Sequence, residues 1–300
     1  MRVSLDHWRT LIAVVDAGGH AQAAARLHRS QSAVTHGIGQ MQRLLGVELF
    51  RTEGRRARLT AAGEALLRRA RRIVAEADAA QALADDLARG WEPEVRLAVD
   101  AAFPAAWLVL ALQRFAPDCQ GTRLVLDEVV MSGADEALLE GRADLAVATV
   151  VPPGFVGAKL VEIEFVAVVG AGHPLAGRGG LGLEELRGER QVVIADSGRR
   201  LRRDAGWLGA DQRFTVAQPA TAARLVRAGL GFAWLPRHLV AADLADGALV
   251  EIDLAQGRSR TVPLHLVLAR GEEAGPAAQA LAERIRQVVA DAAVAPLALP

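Results

Sequence analysis

The feature that most restricts the fold of this chain is an apolar helical stripe that follows a short turn near the N-terminus. Its residues fall within a narrow arc at about 100° per residue, so they share one face of a helix that must pack on a core. They are Val34, Ile38, Met41 and Leu45. Ser30 is placed to cap this helix. Two further helices are predicted before it, from Leu5 to Val15 and from His20 to Leu27, separated by Gly18 and Gly19.

The opposite face of this third predicted helix is polar and contains no acidic residue. Gln, Ser, Thr and Arg are side chains that contact base edges and phosphates when a helix lies in the major groove of DNA. The candidate DNA contacts on this face are Gln31, Ser32, Thr35, His36 and Arg43. The alternative is an amphipathic helix that only packs on its neighbours and leaves a solvated outer face.

An arginine-rich segment follows and predicts a β-hairpin that turns at Gly54. Val47, Leu49 and Phe50 are apolar and typical of a strand. A basic hairpin can lie along the phosphate backbone or enter the minor groove, so we add Arg51, Arg55 and Arg56 to the candidate DNA contacts. Residues 1–60 carry nine arginines and four acids, whereas residues 91–300 carry more acids than bases. A polyanionic partner is therefore expected for the N-terminal module alone.

A resemblance to LysR-type transcriptional regulators is carried by the stretch AQAAARLHRSQSAVTHGIGQMQRLLGVELFRTEGRRARLTAAGEALL. The shared motifs are an Ala-rich helix, Ser-Gln-x-Ala-Val-Ser/Thr, Leu-Gly-Val-x-Leu-Phe-x-Arg and Leu-Thr-x-Ala-Gly, within about residues 3–67. The resemblance implies a winged helix-turn-helix over 1–59 that binds double-stranded DNA, a small-molecule effector, and a homodimer or homotetramer. It also implies RNA polymerase as a partner.

The chain departs from this family pattern inside the reading helix. Ser32 lies where the family often has Pro, and His36 lies where Arg is common. Gly37 and Gly39 also lie within the helix, and each is expected to cost about 0.5–1 kcal/mol of helix stability relative to Ala.

A long helix without proline is predicted over 60–90, with Thr60 placed to cap it. Its apolar stripe contains Leu66, Ile73, Ala77, Ala80, Leu83 and Leu87. A helix of about 30 residues spans about 45 Å, so the small N-terminal module cannot cover the whole stripe. Pairing with the same helix of a second chain would bury it and would set two reading helices against an inverted-repeat site. The alternative is packing on the body of the same chain.

Residues 91–300 alternate strand and helix signals, which predicts an α/β domain with parallel sheets. The predicted strands are Val95–Val99, Arg123–Glu128, Asp144–Thr149, Phe165–Gly170, Gln191–Ala195, Phe214–Ala217, Gly231–Leu235 and Leu264–Ala269, and the predicted helices include Ala105–Phe115, Ala134–Glu140, Thr221–Ala228 and Pro276–Asp291. The chain leaves the first lobe of this α/β domain near Phe165, and the last strand and helix return to that lobe. This predicts two lobes, lobe I at about 91–163 and 266–300 and lobe II at about 164–265. The layout resembles the periplasmic-binding-protein-like effector domains of the family.

In such a layout, ligands bind where strands end and helices begin. The candidate effector contacts are Asp100, Ala102, Phe103, Ser132, Thr149, Asp196, Ser197, Gln218 and Thr221. Because Asp100 and Asp196 are acids at the same rim, we expect an effector with hydroxyl or amino groups rather than a bare dicarboxylate. The alternative for Asp100 is a cap of the helix that follows Pro104.

Other signals do not point to catalysis, and we expect no enzymatic activity, cofactor or metal. The stretch GAGHP at 170–174 lacks the third glycine of a dinucleotide fingerprint, and the seven histidines lack metal-ligand spacing. Ser197 has no Gly-x-Ser-x-Gly elbow or paired histidine. The competing functions are a cytosolic small-molecule-binding protein of periplasmic-binding-protein-like fold and an enzyme built on the α/β body.

Cellular location is predicted from two absences. Cys119 is the only cysteine, which excludes an internal disulfide and favours a reducing compartment. The sequence contains no secretory signal pattern and no apolar stretch of about 18 residues. We therefore expect a cytoplasmic protein without membrane contact.

Overall fold

The computed structural model describes residues 3–53, 56–88, 90–119, 121–257 and 259–294. It divides into two compact units, Met1–Asp86 and Leu87–Pro300. Each unit has a hydrophobic core of its own. In the described ranges, no helix is both long enough and apolar enough to cross a membrane.

The first unit contains three helices, an antiparallel hairpin and a long helix. They are α1 (Leu5–Asp16), α2 (His20–Arg26), α3 (Gln31–Leu45), β1 (Phe50–Glu53), β2 (Arg56–Leu59) and α4 (Ala61–Ala88). Both predicted caps are confirmed, because the Ser30 hydroxyl accepts a hydrogen bond from the Ala33 amide at 3.2 Å and the Thr60 hydroxyl accepts one from the Gly63 amide at 2.9 Å. The local sequence therefore sets where α3 and α4 begin.

The core of the first unit lies where α1, α2 and α3 meet the start of α4. The predicted stripe of α3 is buried at Val34, Ile38 and Met41. The face of α4 in this core contains Leu67 and Ala70 rather than Ile73, which is 37% exposed. The core of the first unit therefore covers one face of α4 as far as Val74, and apolar residues outside that face remain exposed.

In the described part of the second unit, nine strands form one mixed sheet. The strands are β3 (Glu94–Asp100), β4 (Arg123–Val129), β5 (Leu145–Ala148), β6 (Gly157–Gly170), β7 (Arg190–Ile194), β8 (Gln212–Val216), β9 (Phe232–Pro236), β10 (Leu249–Glu251) and β11 (Ser259–Leu268). The helices are α5 (Ala105–Phe115), α6 (Ser132–Leu139), α7 (Leu183–Arg187), α8 (Pro219–Arg227), α9 (Ala241–Ala245) and α10 (Pro276–Val294), with short 3₁₀ helices at Arg237–Leu239 and Gly271–Glu273.

The long strands β6 and β11 connect two halves of this sheet. In the first half β3 is parallel to β4 and β5, and in the second half β7 is parallel to β8 and β9. β11 runs antiparallel to β5 and β6, and β6 runs antiparallel to β9. The prediction of parallel sheets is therefore correct within each half and wrong for the two connecting strands. β6 enters the second half antiparallel to β9, and β11 returns to the first half antiparallel to β5.

The predicted return of the chain to the first half is confirmed by α10, which packs in the first-half core with α5 through Leu281 and Ile285. The second half has separate cores that contain Val226, Phe232 and Leu235. β6 begins at Gly157 rather than at the predicted Phe165. The prediction starts too late because charged residues in the first half of this strand interrupt its apolar pattern.

Candidate functional site

The exposed face of α3 carries the five predicted polar residues. Gln31, Ser32, Thr35, His36 and Arg43 are all exposed, and the helix contains no acidic residue. Two of them contact their own helix end or backbone: the Ser32 hydroxyl lies 3.0 Å from that of Ser30, and the Arg43 Nε donates to the Gly39 carbonyl at 3.4 Å. The face therefore presents donors and acceptors to the surroundings without a competing negative charge.

The turn before α3 is fixed to α1 by an ion pair that no local sequence pattern indicates. The guanidinium of Arg29 donates to both carboxylate oxygens of Asp6, at 2.8 and 2.9 Å. This hydrogen bonding lowers the pKa of Asp6 and raises that of Arg29. His28, in the same turn, has a positive φ of 52°. The pair therefore holds the turn that orients α3.

The main chain of the hairpin after α3 is held against the helices by hydrogen bonds and close packing. The Gln42 Oε1 accepts hydrogen bonds from the amides of Leu49 and Phe50 at 2.7 and 3.3 Å. A Cβ atom on Gly63 would lie 2.2 Å from the Leu49 carbonyl oxygen, so only glycine fits at this close approach. These contacts explain in physical terms why a Leu-Thr-x-Ala-Gly motif follows the hairpin.

The predicted arginine contacts of the hairpin are only partly described. Arg51 is exposed and pairs with Arg58 across the two strands. Arg55 lies outside the described residues, and for Arg56 only the backbone is described.

The second unit contains a cavity of about 650 Å³ between its two halves. Among the predicted effector contacts, Asp100, Ala102 and Thr149 line it. As far as the structure describes the chain, the cavity wall does not include Phe103, Ser132, Asp196, Ser197, Gln218 or Thr221. Phe103 is buried and packs edge-on against Trp107, with ring centroids 6.0 Å apart.

Three of these residues instead join the halves, in a region that we call the polar seam (residues 130–136 and 196–203). The carboxylate of Asp196 accepts hydrogen bonds from the amide and hydroxyl of Ser132, at 3.1 and 2.7 Å, and from the amides of Gly198 and Arg203. The Ser197 hydroxyl accepts a hydrogen bond from the Val130 amide at 2.9 Å. The polar seam therefore uses the hydrogen-bonding capacity of these side chains within the chain.

Acidic residues of α6 complete the polar seam. Glu136 accepts hydrogen bonds from the main-chain amides of Arg199, Arg200 and Leu201 at 2.6 to 2.9 Å. These amides, that of Arg199 foremost, lower the pKa of Glu136 to about 2. Asp135 is fully buried and forms an ion pair with Arg203 at 2.6 Å, but burial raises its pKa.

Asp100 supports the rim of the cavity rather than capping α5. Its carboxylate accepts hydrogen bonds from the amides of Ala102 at 2.9 Å and Met131 at 2.8 Å, whereas α5 has no side-chain cap. Only 3% of the residue is exposed, and this burial raises its pKa from 3.8 to about 6. The alternative role as a helix cap is therefore wrong, and Asp100 joins two loops that meet at the cavity.

Comparison with protein families accounts for most of the chain. Residues 5–64 match the model of the bacterial regulatory helix-turn-helix protein, lysR family, and residues 88–290 match the LysR substrate binding domain. The chain belongs to the LysR family of transcriptional regulators. It is thus a ligand-responsive regulator with a helix-turn-helix DNA-binding domain and an effector-binding domain, as the resemblance in its sequence predicted.

Curated relatives agree with this assignment. The uncharacterized HTH-type transcriptional regulator YeeY of Escherichia coli is 31% identical over 265 residues, which cover 84% of this chain and 83% of the relative. The HTH-type transcriptional regulator PunR of Escherichia coli is 29% identical over 251 residues, which cover 80% of this chain and 81% of PunR.

Solved structures share the fold of this LysR family member. Full-length LysG from Corynebacterium glutamicum is 20% identical with a TM-score of 0.53, and the match covers 96% of this chain and 98% of LysG. ArgP from Mycobacterium tuberculosis is 24% identical, also with a TM-score of 0.53, over 94% of this chain and 96% of ArgP.

No local sequence pattern indicates the residues that give the cavity of this LysR family member its chemical character. They are Phe165, Gln191, Trp207, Trp234 and Arg260. Aromatic residues make up only 4% of the sequence, so the presence of three of them in one cavity wall is informative. The rare tryptophans are the one sequence feature that could have indicated these residues. They meet in one cavity wall only because β6 and β11 connect the two halves of the sheet. In the described ranges, no group of three His, Cys, Asp or Glu side chains could hold a metal ion.

Proposed function

We propose that this regulator binds an inverted-repeat site in double-stranded DNA through the exposed face of α3. The observation that carries the proposal is the arrangement of that face, with Gln31, Thr35 and Arg43 exposed and no acid in the helix. Such side chains read base edges and neutralise phosphates in the major groove. Arg51 on the hairpin adds a phosphate contact beside the helix.

An inverted repeat requires two copies of α3, so we propose a homodimer or homotetramer. The support for this comes from α4, whose 28 residues span about 42 Å. Outside the face that packs in the core, Ile73 and Ala80 remain exposed. Pairing of this apolar surface with the same helix of a second chain would remove it from water.

We place the effector in the cavity of the second unit, where Asp100, Ala102 and Thr149 contribute to the wall. An effector that prefers one arrangement of the two halves would shift the population of the regulator toward that arrangement, without a chemical step. We therefore propose no enzymatic activity. We also propose that the regulator is cytoplasmic and contacts RNA polymerase. The solved LysG structure with bound effector Arg supports small-molecule binding by a protein of this fold.

The test is a DNase I footprint of the full-length protein on the DNA that flanks its own gene, repeated at several salt concentrations. We expect a protected inverted repeat, and an affinity that falls steeply with salt because several phosphate contacts release counterions. A protein that binds small molecules but protects no site would contradict the proposal and favour the solute-binding alternative.

A further inference from the structure

The wall of the cavity is mostly apolar and contains aromatic rings. Phe165, Trp207 and Trp234 line it, together with aliphatic residues of β7. The ring centroids of Trp207 and Trp234 lie 6.1 Å apart, with the planes inclined by 58°. A wall of this kind favours a ligand with flat apolar rings, because binding removes apolar area of both the ligand and the wall from water.

Arg260, on β11, supplies a positive charge to this wall that no carboxylate of the described residues neutralises. Its guanidinium lies over the ring of Phe165 at 5.0 Å, and burial lowers its pKa. In the described part of the chain, its Nε is buried without a hydrogen-bond partner, and no carboxylate pairs with it. A half-buried cation in this state is costly and favours a bound anion.

Arg237 shows what the same side chain does when the chain provides an anion. Its guanidinium donates to Glu164 at 2.6 Å and to Glu251 at 2.7 Å. The hydrogen bonds that Arg237 donates to Glu251 and Glu164 raise its pKa, whereas burial lowers the pKa of Arg260. The two arginines therefore differ in whether a carboxylate of the chain satisfies them, and Arg260 is the one that lines the cavity.

Gln191 contributes an acceptor to the same wall. Its Nε2 donates to the Trp207 carbonyl oxygen at 2.7 Å, and a carbonyl oxygen can only accept, which settles the orientation of the amide. The Oε1 is consequently left buried without a partner within the described residues, in a residue that is 3% exposed. An unpaired buried acceptor favours a ligand that brings an N–H or O–H group.

The side chains of Arg260 and Gln191 lie against consecutive residues of the chain. The Nη1 of Arg260 is 3.2 Å from the position that a Cβ of Gly206 would take, and Gln191 is bonded to the next residue, Trp207. The two side chains therefore line the same part of the cavity wall. Asp100 and Asp204 also line the cavity, and their negative charges oppose a second anionic group on the ligand.

We propose that the cavity binds an aromatic monocarboxylate that carries one hydrogen-bond donor on its ring system. The carboxylate pairs with Arg260, the donor pairs with the Gln191 Oε1, and the rings pack against Phe165, Trp207 and Trp234. This inference rests on the proposed function, since it specifies the chemical class of the effector for the same cavity.

The test uses isothermal titration calorimetry of the full-length protein with three matched probes and, as a fourth compound, the dicarboxylate homophthalate. Indole-3-acetate has a carboxylate, two fused rings and an N–H donor; indole lacks the carboxylate, and 1-naphthylacetate lacks the donor. We expect indole-3-acetate to bind at least about 10-fold more tightly than either of the others, because each leaves one buried polar group of the cavity unpaired. Equal affinities for all three probes, or tighter binding of the dicarboxylate homophthalate, would overturn the proposal.

Two variants assign the discrimination to individual residues. Arg260→Met is expected to remove the preference for indole-3-acetate over indole, and Gln191→Met the preference over 1-naphthylacetate. The matched control Arg213→Met changes an exposed arginine of β8 and should leave both preferences intact. A circular dichroism melting curve identifies any variant that fails to fold, and the comparison of the three probes on the unmodified protein still decides the proposal in that event.

Failure of this inference is distinguishable from failure of the proposed function. If the footprint appears but indole-3-acetate shows no preferred binding, the ligand class is wrong and the regulator remains. If indole-3-acetate binds with the expected preferences but no DNA is protected, the ligand class stands and the proposed DNA function is wrong.

Discussion

The exposed face of α3 and the polar seam are both rich in polar side chains, but the chain uses them in opposite ways. In the polar seam, Asp196 and Glu136 accept hydrogen bonds from main-chain amides across the two halves. On α3, the side chains of Gln31, Thr35 and His36 have no such partner among the described residues. The first pattern is an internal connection, whereas the second leaves the side chains available for the DNA contacts proposed above.

The largest effect is expected from Asp196→Ala, which breaks the connection in the polar seam. The change removes the acceptor of four hydrogen bonds and leaves part-buried groups of the seam unpaired. We expect a loss of about 3–5 kcal/mol in the free energy of unfolding, measured by urea denaturation with tryptophan fluorescence. The control Asp211→Ala, at an exposed position, should change it by less than about 0.5 kcal/mol. Similar curves for the two variants would show that the seam does not hold the halves together.

Gly198→Ala tests the same seam through packing. A Cβ atom at this position would lie 2.0 Å from the Ser132 hydroxyl oxygen and 2.9 Å from a carboxylate oxygen of Glu136. Displacing these groups is expected to cost about 1–3 kcal/mol. Gly188→Ala is the matched control, because its Cβ would meet nothing within 4 Å. The prediction fails if the urea midpoint of the Gly198 variant does not fall below that of the Gly188 variant.

Glycine-to-alanine substitution in α3 should stabilise the protein rather than destabilise it. Gly37 and Gly39 are helical, and an added Cβ would meet nothing within 4 Å at either position. We expect the double substitution to alanine to stabilise α3 by about 1–2 kcal/mol. Hydrogen exchange of the α3 amides in the full-length protein measures this directly, and unchanged or faster exchange would mean that the glycines do not weaken the helix.

Asp100 gives the smallest of these effects and a characteristic pH dependence. Because its pKa in the folded chain is raised to about 6, the group contributes stability below the usual value of 3.8, and this contribution is lost as the pH rises through 6. Relative to Asp100→Asn, which does not titrate, the wild-type protein should therefore lose about 1 kcal/mol of unfolding free energy between pH 5 and pH 8. Urea denaturation at both pH values tests it, and a constant difference between the two proteins would refute the shift.

The sequence predicts well what depends on neighbouring residues. The caps Ser30 and Thr60 and the buried stripe of α3 follow from periodicity and capping chemistry, and the structure confirms them. The predicted return of the chain to the first half also holds, because strand and helix order limits the possible connections.

The rest depends on contacts between distant residues. Asp196 and Ser132 are separated by 64 positions, and no local pattern indicates that they bond to each other. The same limit applies to Arg260 and Gln191, which reach one cavity only because β11 and β7 lie in the same sheet. The strand ends predicted the location of the cleft, but which polar groups remain unpaired there is a property of the packed structure.

The most direct test of the account is the affinity of α3 variants for the protected operator. Thr35→Ala combined with Arg43→Ala removes two exposed side chains of α3, and Thr215→Ala combined with Arg213→Ala makes the same changes at exposed positions of β8. Fluorescence anisotropy at fixed salt should show a loss of about 10- to 100-fold in affinity for the α3 variant and wild-type affinity for the β8 variant. If both variants bound the operator as tightly as the wild-type protein, α3 would not be the helix that reads DNA.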